Sequence, residues 1–322
     1  MSEAKEFAAA HLRGIWCAAL MPFAPDTHAM DEAGFRSNLT HWFTELGIDG
    51  VFVSGKQGEF FSMSVAERKR SFEIAVDVAR ATGKRSILSA SDQNMDVVIE
   101  LARHAEAIGG DFIVVHAPVL HFVHDRDEIL FEYYRHIASQ VRIGICMWSH
   151  PDSGYLMSPE LCARIAEIPN IVGIKYSVPR EMYARLTELT RGRLVVSTAS
   201  EEEWLDNIID LGWSCYLCSS PPYLLQTAAD RRMREYTDLA FAGRVAEARA
   251  VSASLDPVRH ALKSTRPGGK PQSHQKYWQQ LLGQVGGAVR APMLELTEAE
   301  RAATRAAFAG SGLKLPARLA AE

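Results

Sequence analysis

Eight short apolar runs, each rich in β-branched or aromatic residues, constrain the fold of this chain more than any other feature. They begin about 20 to 36 residues apart, the length of a strand–helix unit with short loops. Between them, apolar residues repeat with a period of about 3.6, which predicts helices. Each run is a predicted strand, and together they cover Gly14–Leu20, Gly50–Ser54, Ser86–Ser89, Asp111–Val115, Ile143–Trp148, Ile171–Lys175, Leu194–Thr198 and Ser214–Cys218.

Local signals mark where several helices begin. Ser64 and Glu67 form a capping-box pattern that opens a helix at Val65. Ser158 and Pro159 supply an N-cap and a proline at the first helical position. Further helices are predicted at Asp31–Leu46, Met95–Ile108, Arg126–Gln140, Arg180–Thr190 and Glu201–Leu211.

Eight alternations of strand and helix predict a parallel sheet, and eight is the number that closes a (β/α)8 TIM barrel. The alternative, a doubly wound open sheet, usually carries a glycine fingerprint after its first strand. Leu20-Met21-Pro22-Phe23 stands there instead, so we expect the barrel. The predicted domains are an N-terminal segment over 1–13, the barrel core over 14–224 and a helical region packed on the barrel over 225–322.

The chain stays helical after the eighth run. Helices are predicted at Pro222–Ala242, Val245–Leu262 and Gln275–Leu282. A second capping-box pattern, Thr297 with Glu300, opens a last helix. These helices form the predicted C-terminal extension of the barrel.

Composition excludes several classes of protein. With 47% hydrophobic and 23% charged residues, the 322-residue chain has the balance of a globular protein. A net charge of −4 provides no electrostatic footprint for nucleic acid or an anionic membrane. No run approaches the roughly 20 apolar residues of a membrane span, and the N-terminus has no apolar leader. We therefore expect a cytoplasmic protein with a small-molecule substrate.

Cysteine and histidine spacing predicts neither disulfides nor a metal site. Five cysteines are an odd number, which favours reduced thiols in the core. Cys215 and Cys218 lie three apart on a predicted strand, so their side chains point to opposite faces. The group His116, His121 and His124 has no convincing ligand spacing.

The active site of such a barrel lies at the C-terminal ends of its strands. Lys175 ends a run that we expect to be buried on both faces. Burial would lower the pKa of the amine and leave more of the neutral nucleophile that attacks a carbonyl to form a Schiff base. The alternative is a lysine that extends to solvent, and the residues alone leave both open. Other polar groups at strand ends include Ser91, Ser149, Ser177, Ser197, Ser219 and Ser220.

Four stretches of the chain resemble the dihydrodipicolinate synthase/N-acetylneuraminate lyase family of class I aldolase-like barrels. The stretch Gly55–Arg70 is similar to the Gly-Thr-Thr-Gly-Glu loop and the helix after it, and Val172–Lys175 to the strand with the Schiff-base lysine. The others are Met21–Phe23 and Gly286–Pro292 with Leu296–Arg301. The resemblance extends from about Gly14 to Leu313.

The resemblance implies that Lys175 forms a covalent imine with a 2-oxo acid, often pyruvate, with no other cofactor. The protonated imine acts as an electron sink while a carbon–carbon or carbon–oxygen bond is made or broken. Backbone amides around Lys56, Gln57 and Gly58 would bind the substrate carboxylate, since turn amides form an anion nest. Glu59 would mostly hold this loop. A homotetramer or homodimer is expected.

The sequence departs from the family where the family moves protons. Lys56 and Gln57 replace the two threonines of the loop. Pro151 fixes an alignment in which Trp148 stands at the position of the proton-shuttling tyrosine, and an indole N–H donates but cannot relay a proton. Val119 replaces the first of two tyrosines in the synthases.

Leu120 replaces the second tyrosine, and the arginine that binds the acceptor carboxylate in the synthases is missing from Asp152–Gly154. These losses argue against the lysine-biosynthesis reaction. Trp148 and Leu120 suggest a larger, less polar substrate arm.

Histidine is the side chain best suited to carry protons near pH 7. His116, His121 and His150 follow predicted strands, and we predict His116 and His150, with Trp148, as catalytic residues beside Lys175. Glu59 is another candidate acid. Ser149 and Ser197 are predicted substrate contacts, along with the loop over 56–59.

Three functions remain open. The first is a Schiff-base lyase of the aldolase or hydratase-aldolase type that releases or condenses pyruvate. The second is a dehydratase, deaminase or decarboxylase that uses the same lysine. The third is a non-catalytic protein that keeps the fold and binds a metabolite.

Overall fold

The computed structural model describes residues 2–217 and 222–317, along which eight strands alternate with helices. Each predicted run overlaps one strand, and four of the strands extend one residue beyond their run. Cys218, the last residue of the eighth run, lies outside the described residues. The strands are β1 Gly14–Ala18, β2 Gly50–Val53, β3 Arg85–Ser89, β4 Phe112–His116, β5 Gly144–Ser149, β6 Ile171–Tyr176, β7 Val195–Ser197 and β8 Cys215–Leu217.

The helices follow the predicted pattern over most of the chain. Both capping boxes form, since Ser64 and Thr297 each accept from the third helical N–H and the glutamate there accepts in return. Within the described ranges no helix has both the length and the apolarity needed to cross a membrane. The helices are α1 Glu3–His11, α2 Glu32–Glu45, α3 Val65–Thr82, α4 Met95–Ala107, α5 Asp127–Ala138, α6 Pro159–Ile165, α7 Arg180–Thr190, α8 Trp204–Leu211, α9 Arg232–Phe241, α10 Val245–Ala253, α11 Asp256–Ser264, α12 Pro271–Leu281 and α13 Glu298–Ala309.

The strands form one sheet in the order β7-β6-β5-β4-β3-β2-β1-β8. Each strand from β3 to β7 pairs in parallel with the next one along the chain, and β1 pairs in parallel with β8. Helices connect successive strands, as parallel pairing requires. This is the (β/α)8 barrel that the sequence predicts, so the predicted fold class is confirmed.

Internal contacts divide the chain into two compact units. The first unit comprises Met1–Trp16 with Arg85–Ser219, and the second comprises Cys17–Lys84 with Ser220–Glu322. The predicted division at residue 224 is a different partition and stays a prediction.

In the first unit, β5 and β6 are buried along their whole length, because both faces of a parallel sheet are covered. The helix α1, which the sequence analysis did not predict, packs against this sheet. Its Phe7 ring lies 5.5 Å from the ring of Phe112 on β4. Ser2 caps the helix by accepting from the Lys5 N–H.

In the second unit, the predicted helix Pro222–Ala242 is wrong in its first part. The Tyr223 ring stacks on Trp42 at 3.9 Å, and its hydroxyl donates to the Ala18 carbonyl at 3.0 Å. Thr227 and Asp230 exchange backbone hydrogen bonds in a turn. Because these contacts fix the segment in another conformation, a regular helix begins only at Arg232.

The predicted helix Val245–Leu262 is also wrong, because it is two helices. The first, α10, ends at Ala253, and α11 begins at Asp256 with Pro257 in its first turn. Proline lacks an N–H and clashes with the preceding turn inside a helix, whereas the first turn tolerates it. For the same reason α12 begins at Pro271 rather than at Gln275.

Candidate active site

Lys175 lies on β6, among the strands of the first unit. It is only 2% exposed although it lies near the end of β6. Its Nζ stands 4.8 Å from the centroid of the Trp148 ring. The side chain therefore stays among neighbouring strands rather than extending to solvent.

Strand register places three other predicted site residues level with Lys175. His116 on β4 pairs with Trp148 on β5, Trp148 pairs with Lys175, and Lys175 pairs with Ser197 on β7. Residues in register on parallel strands point to the same face of the sheet. We call His116, Trp148 and Lys175, which the sequence analysis predicts as catalytic residues, the catalytic row.

His116 and Trp148 are in edge-to-face contact. Their ring centroids lie 4.7 Å apart with an interplanar angle of 84°. The Nδ1 of His116 lies 2.7 Å from the carbonyl oxygen of Ala117, and because a carbonyl only accepts, Nδ1 carries a proton. In the neutral ring the lone pair is then on Nε2, which is the arrangement of a base held in one tautomer.

Three contacts fix the segment that carries His116. The Ser91 hydroxyl accepts from the His116 N–H at 2.9 Å. The Ser153 hydroxyl donates to the Ala117 carbonyl at 3.1 Å, and the Tyr155 hydroxyl donates to the Pro118 carbonyl at 2.7 Å. The imidazole therefore has a defined orientation against Trp148.

His150 also lies beside Trp148, with its ring centroid 6.3 Å from that of the indole. Its Nδ1 is 3.0 Å from a carboxylate oxygen of Asp152 and also accepts from the Asp152 N–H at 3.2 Å. A neutral ring with its lone pair on Nδ1 accepts from the Asp152 N–H, and a protonated ring donates from Nδ1 to the Asp152 carboxylate. His150 can therefore be held in either protonation state.

The hydroxyls of Ser149 and Ser197 both bind backbone groups. Ser149 points to the face of β5 opposite to Trp148 and accepts from the Met157 N–H at 3.1 Å. Ser197 accepts from the Leu217 N–H at 2.8 Å. Both contacts fasten loops and strands, and a role in substrate binding stays a prediction. His121 is exposed, and Ser219 and Ser220 lie outside the described residues.

Ser177 is a candidate that the sequence analysis mentioned at a strand end but did not select. Its Oγ is buried and has no hydrogen-bond partner within the described chain. An unpaired buried hydroxyl is costly, so a ligand or a water is its expected partner. Ser177 lies two residues beyond Lys175, and because side chains alternate between the faces of a strand, this spacing predicts that both point to the same face. That spacing is the sequence signal for Ser177.

The glycine-rich loop over residues 54–59 belongs to the second unit. Ser54 and Glu59, at its two ends, have φ angles of 53° and 55°, which are left-handed values that strain non-glycine residues. A Cβ at Gly55 would lie 2.7 Å from the Phe52 ring, and one at Gly58 would lie 3.2 Å from the Ala19 carbonyl oxygen. The close packing explains both glycines.

Glu59 is fully buried in an ion pair that the sequence analysis missed. Its Oε1 lies 2.5 Å from the Nζ of Lys276, which is 2% exposed by side chain. Its Oε2 accepts from the Arg290 N–H at 3.0 Å. Burial lowers the pKa of the Lys276 ammonium, and the Glu59 carboxylate opposes that shift. Helix α12 shows only an apolar-face pattern in the sequence, and nothing in that pattern indicates that Lys276 pairs with Glu59.

Metal and thiol chemistry find no support among the described residues. No group of three or more His, Cys, Asp or Glu side chains there is placed to hold a metal ion. The thiols of Cys17, Cys146, Cys162 and Cys215 are reduced and buried. Burial raises the pKa of the Cys146 thiol to about 12, which keeps it protonated and unreactive.

Comparison with known proteins gives a match over almost the whole chain. The profile of the Dihydrodipicolinate synthetase family matches residues 11–309. The 4-hydroxy-tetrahydrodipicolinate synthase of Methanothrix thermoacetophila is 27% identical over 296 residues, covering 91% of this chain and 95% of that protein. A probable 5-dehydro-4-deoxyglucarate dehydratase of Bradyrhizobium is 26% identical over 326 residues, covering 99% and 98%.

A solved structure has the same fold. A prophage protein of the dihydrodipicolinic acid synthase family from E. coli K12, in complex with pyruvate, superposes with a TM-score of 0.80. It is 21% identical and covers 94% of this chain and 99% of that one. At this identity the likeness supports the barrel fold alone.

Proposed function

Because the chain belongs to the dihydrodipicolinate synthetase family, we propose that it is a Schiff-base-forming lyase that acts on a 2-oxo acid. The observation that carries this proposal is the buried Lys175 beside Trp148 and, one strand further, His116. The relatives of this chain include a synthase and a probable dehydratase. Pyruvate, which occupies the related prophage protein, is the simplest substrate to test.

In the proposed reaction, the neutral amine of Lys175 adds to the C2 carbonyl, and the carbinolamine loses water to give a protonated imine. A base takes the proton of the C4 hydroxyl, and the C3–C4 bond breaks so that C4 leaves as an aldehyde. The protonated imine accepts the electron pair of that bond and becomes an enamine. The resulting enamine takes a proton at C3. Water then hydrolyses the imine, which releases pyruvate and restores the amine.

Trp148 has a role in this scheme that differs from that of a tyrosine. Its indole face is 4.8 Å from Nζ, and aromatic faces attract cations. The iminium carries its positive charge at that nitrogen. We assign Trp148 to stabilising the iminium and His116, with its lone pair on Nε2, to carrying the proton. His150, which can be held in either protonation state, is the second proton carrier.

The reaction named for the Methanothrix relative, that of a 4-hydroxy-tetrahydrodipicolinate synthase, is not the one proposed for this chain. Lys56, Gln57 and Trp148 stand where the resemblance implies two threonines and a tyrosine. A nest of backbone amides binds a carboxylate without a threonine side chain. We therefore propose that the amides of residues 56–58 bind the substrate carboxylate. A cytoplasmic location and a homotetramer or homodimer are likewise proposals.

The second candidate is a dehydratase, deaminase or decarboxylase that uses the same lysine. The match to the probable dehydratase of Bradyrhizobium favours it, because that match covers 99% of this chain. Analysis of the products separates the two candidates, since only the lyase releases pyruvate by carbon–carbon cleavage.

The proposal is tested by reducing the protein with borohydride in the presence of pyruvate and of bulkier 2-oxo acids, and measuring the intact mass. We expect a stable adduct with at least one acid, and no adduct with Lys175→Ala, a loss of more than about a thousandfold in trapping rate. Lys263→Met, which removes an exposed lysine of α11, is the matched control. A folded wild-type protein that traps no 2-oxo acid would instead support a metabolite-binding protein without catalysis.

A further inference from the structure

The loop over residues 54–59 is strained at both ends, and strained backbone persists only where its surroundings hold it. At the first end, the Ser54 hydroxyl lies 2.7 Å from that of Ser71 on α3, which in turn donates to the Arg68 carbonyl. The second end is held from the C-terminal part of the second unit. There the contacts come from buried charges.

Helix α12 reaches this loop with two side chains four residues apart, which lie on one helix face. The Gln272 amide donates to the Lys56 carbonyl at 3.2 Å. One turn later, Lys276 contacts Glu59 at 2.5 Å and also donates to the Ala288 carbonyl at 2.6 Å. The Lys276 ammonium lies 4.6 Å from the Phe23 ring centroid.

The segment around Arg290 completes the support. Its N–H donates to Glu59, and its guanidinium binds Glu67 through two nitrogens at 2.6 and 3.0 Å. Glu67 belongs to the capping box of α3, directly after the loop. This series of contacts, from Lys276 through Glu59 and Arg290 to Glu67, therefore fixes both the loop and the helix that follows it.

Removing two charges from water costs free energy that offsets their Coulombic attraction, so a buried ion pair adds little net stability to a fold. An apolar pair of similar size often stabilises the fold equally well. The presence of the Glu59–Lys276 pair is better explained by the loop geometry that it fixes. We infer that Lys276 is a positioning residue, which acts through Glu59 to hold the amides of residues 56–58 in the geometry that binds the substrate carboxylate. This inference rests on the proposed function for the identity of that anion.

The test compares Lys276→Met, the double variant Lys276→Met/Glu59→Gln and the control Lys263→Met. Removing only the ammonium leaves a buried carboxylate without its cation, so the single variant is expected to lose stability as well as affinity. The double variant removes both charges and keeps an acceptor for the Arg290 N–H. We expect its thermal stability to recover toward that of the control.

In the double variant, the pyruvate concentration for half-maximal borohydride trapping should rise by about tenfold, while the trapping rate at saturation should fall by a clearly smaller factor. A purely structural role would not separate these two quantities. Unchanged half-saturation in a folded double variant would overturn the inference.

Hydrogen exchange gives a readout that does not depend on catalysis. We expect the amides of residues 56–58 to exchange at least about tenfold faster in the double variant than in Lys263→Met. If the wild type traps no 2-oxo acid, the proposed function fails, and the exchange rates still decide the positioning role. Equal exchange in the two proteins would overturn that role on its own.

Discussion

The catalytic row and the loop over 54–59 obtain a fixed geometry in opposite ways. In the row, the register of adjacent strands sets the positions of His116, Trp148 and Lys175, and the side chains carry the chemistry. In the loop, the buried side chains of Glu59 and Lys276 set the geometry, and the backbone is the part proposed to bind an anion. A changed side chain should therefore alter chemistry in the row and have little effect at the loop surface.

Removing the indole should produce the largest loss of stability. Trp148 is 2% exposed between His116 and Lys175, and Trp148→Ala should lower the free energy of unfolding by about 3–5 kcal/mol because it leaves a cavity. Urea unfolding measures the loss. Trp148→Tyr, which fills most of the space, should cost markedly less. Equal stability of the Ala variant and the wild type would show that the row is not packed as described.

His116→Asn should separate imine formation from proton transfer. Exchange of the C3 protons of pyruvate in D2O, followed by NMR, requires both the imine and a base. We expect this exchange to slow by about a hundredfold or more, while borohydride trapping continues. His121→Asn is the control, since His121 is exposed. If the His121 variant slows exchange as much, His116 is not the carrier.

Acid should weaken the helix that supports the loop. His274 on α12 is fully buried, and its Nε2 is 2.9 Å from the Thr265 hydroxyl. Burial, with a smaller contribution from Arg266, lowers the pKa of His274 to about 4 from 6.5. The unfolded chain therefore binds the proton first, and stability present above about pH 6.5 is lost as pH falls toward about 4.

Urea unfolding at about pH 7 and pH 4.5 measures this loss. Between these values, the wild type should lose about 2–3 kcal/mol more than His274→Gln, which cannot titrate. The same loss in both proteins would place the acid sensitivity elsewhere.

The half-buried side chains of Lys56 and Gln57 in the loop should have the smallest effect. Lys56→Ala and Gln57→Ala should each change the pyruvate concentration for half-maximal trapping by less than about threefold, because backbone amides are the proposed ligands. Gly58→Ala is the contrasting variant, since its Cβ would lie 3.2 Å from the Ala19 carbonyl oxygen and displace the backbone. A larger effect from Lys56→Ala than from Gly58→Ala would assign anion binding to the side chain.

The parts of the fold that depend on local patterns could be predicted from the sequence. Apolar runs marked the strands, the capping boxes marked α3 and α13, and the end of β6 marked Lys175. Contacts between distant segments could not be predicted. Nothing near Lys276 indicates that it meets Glu59, more than 200 residues earlier. Ring contacts and exposure, known only from the structure, distinguish His116, which is packed on Trp148, from the exposed His121.

The most direct test of the account is to identify the modified residue after borohydride reduction of the wild-type protein with the 2-oxo acid that it traps. Proteolysis and tandem mass spectrometry locate the adduct. We expect the adduct on Lys175, the buried lysine beside Trp148. An adduct on Lys56 or Lys276, or one spread over surface lysines, would contradict the assignment of the catalytic row.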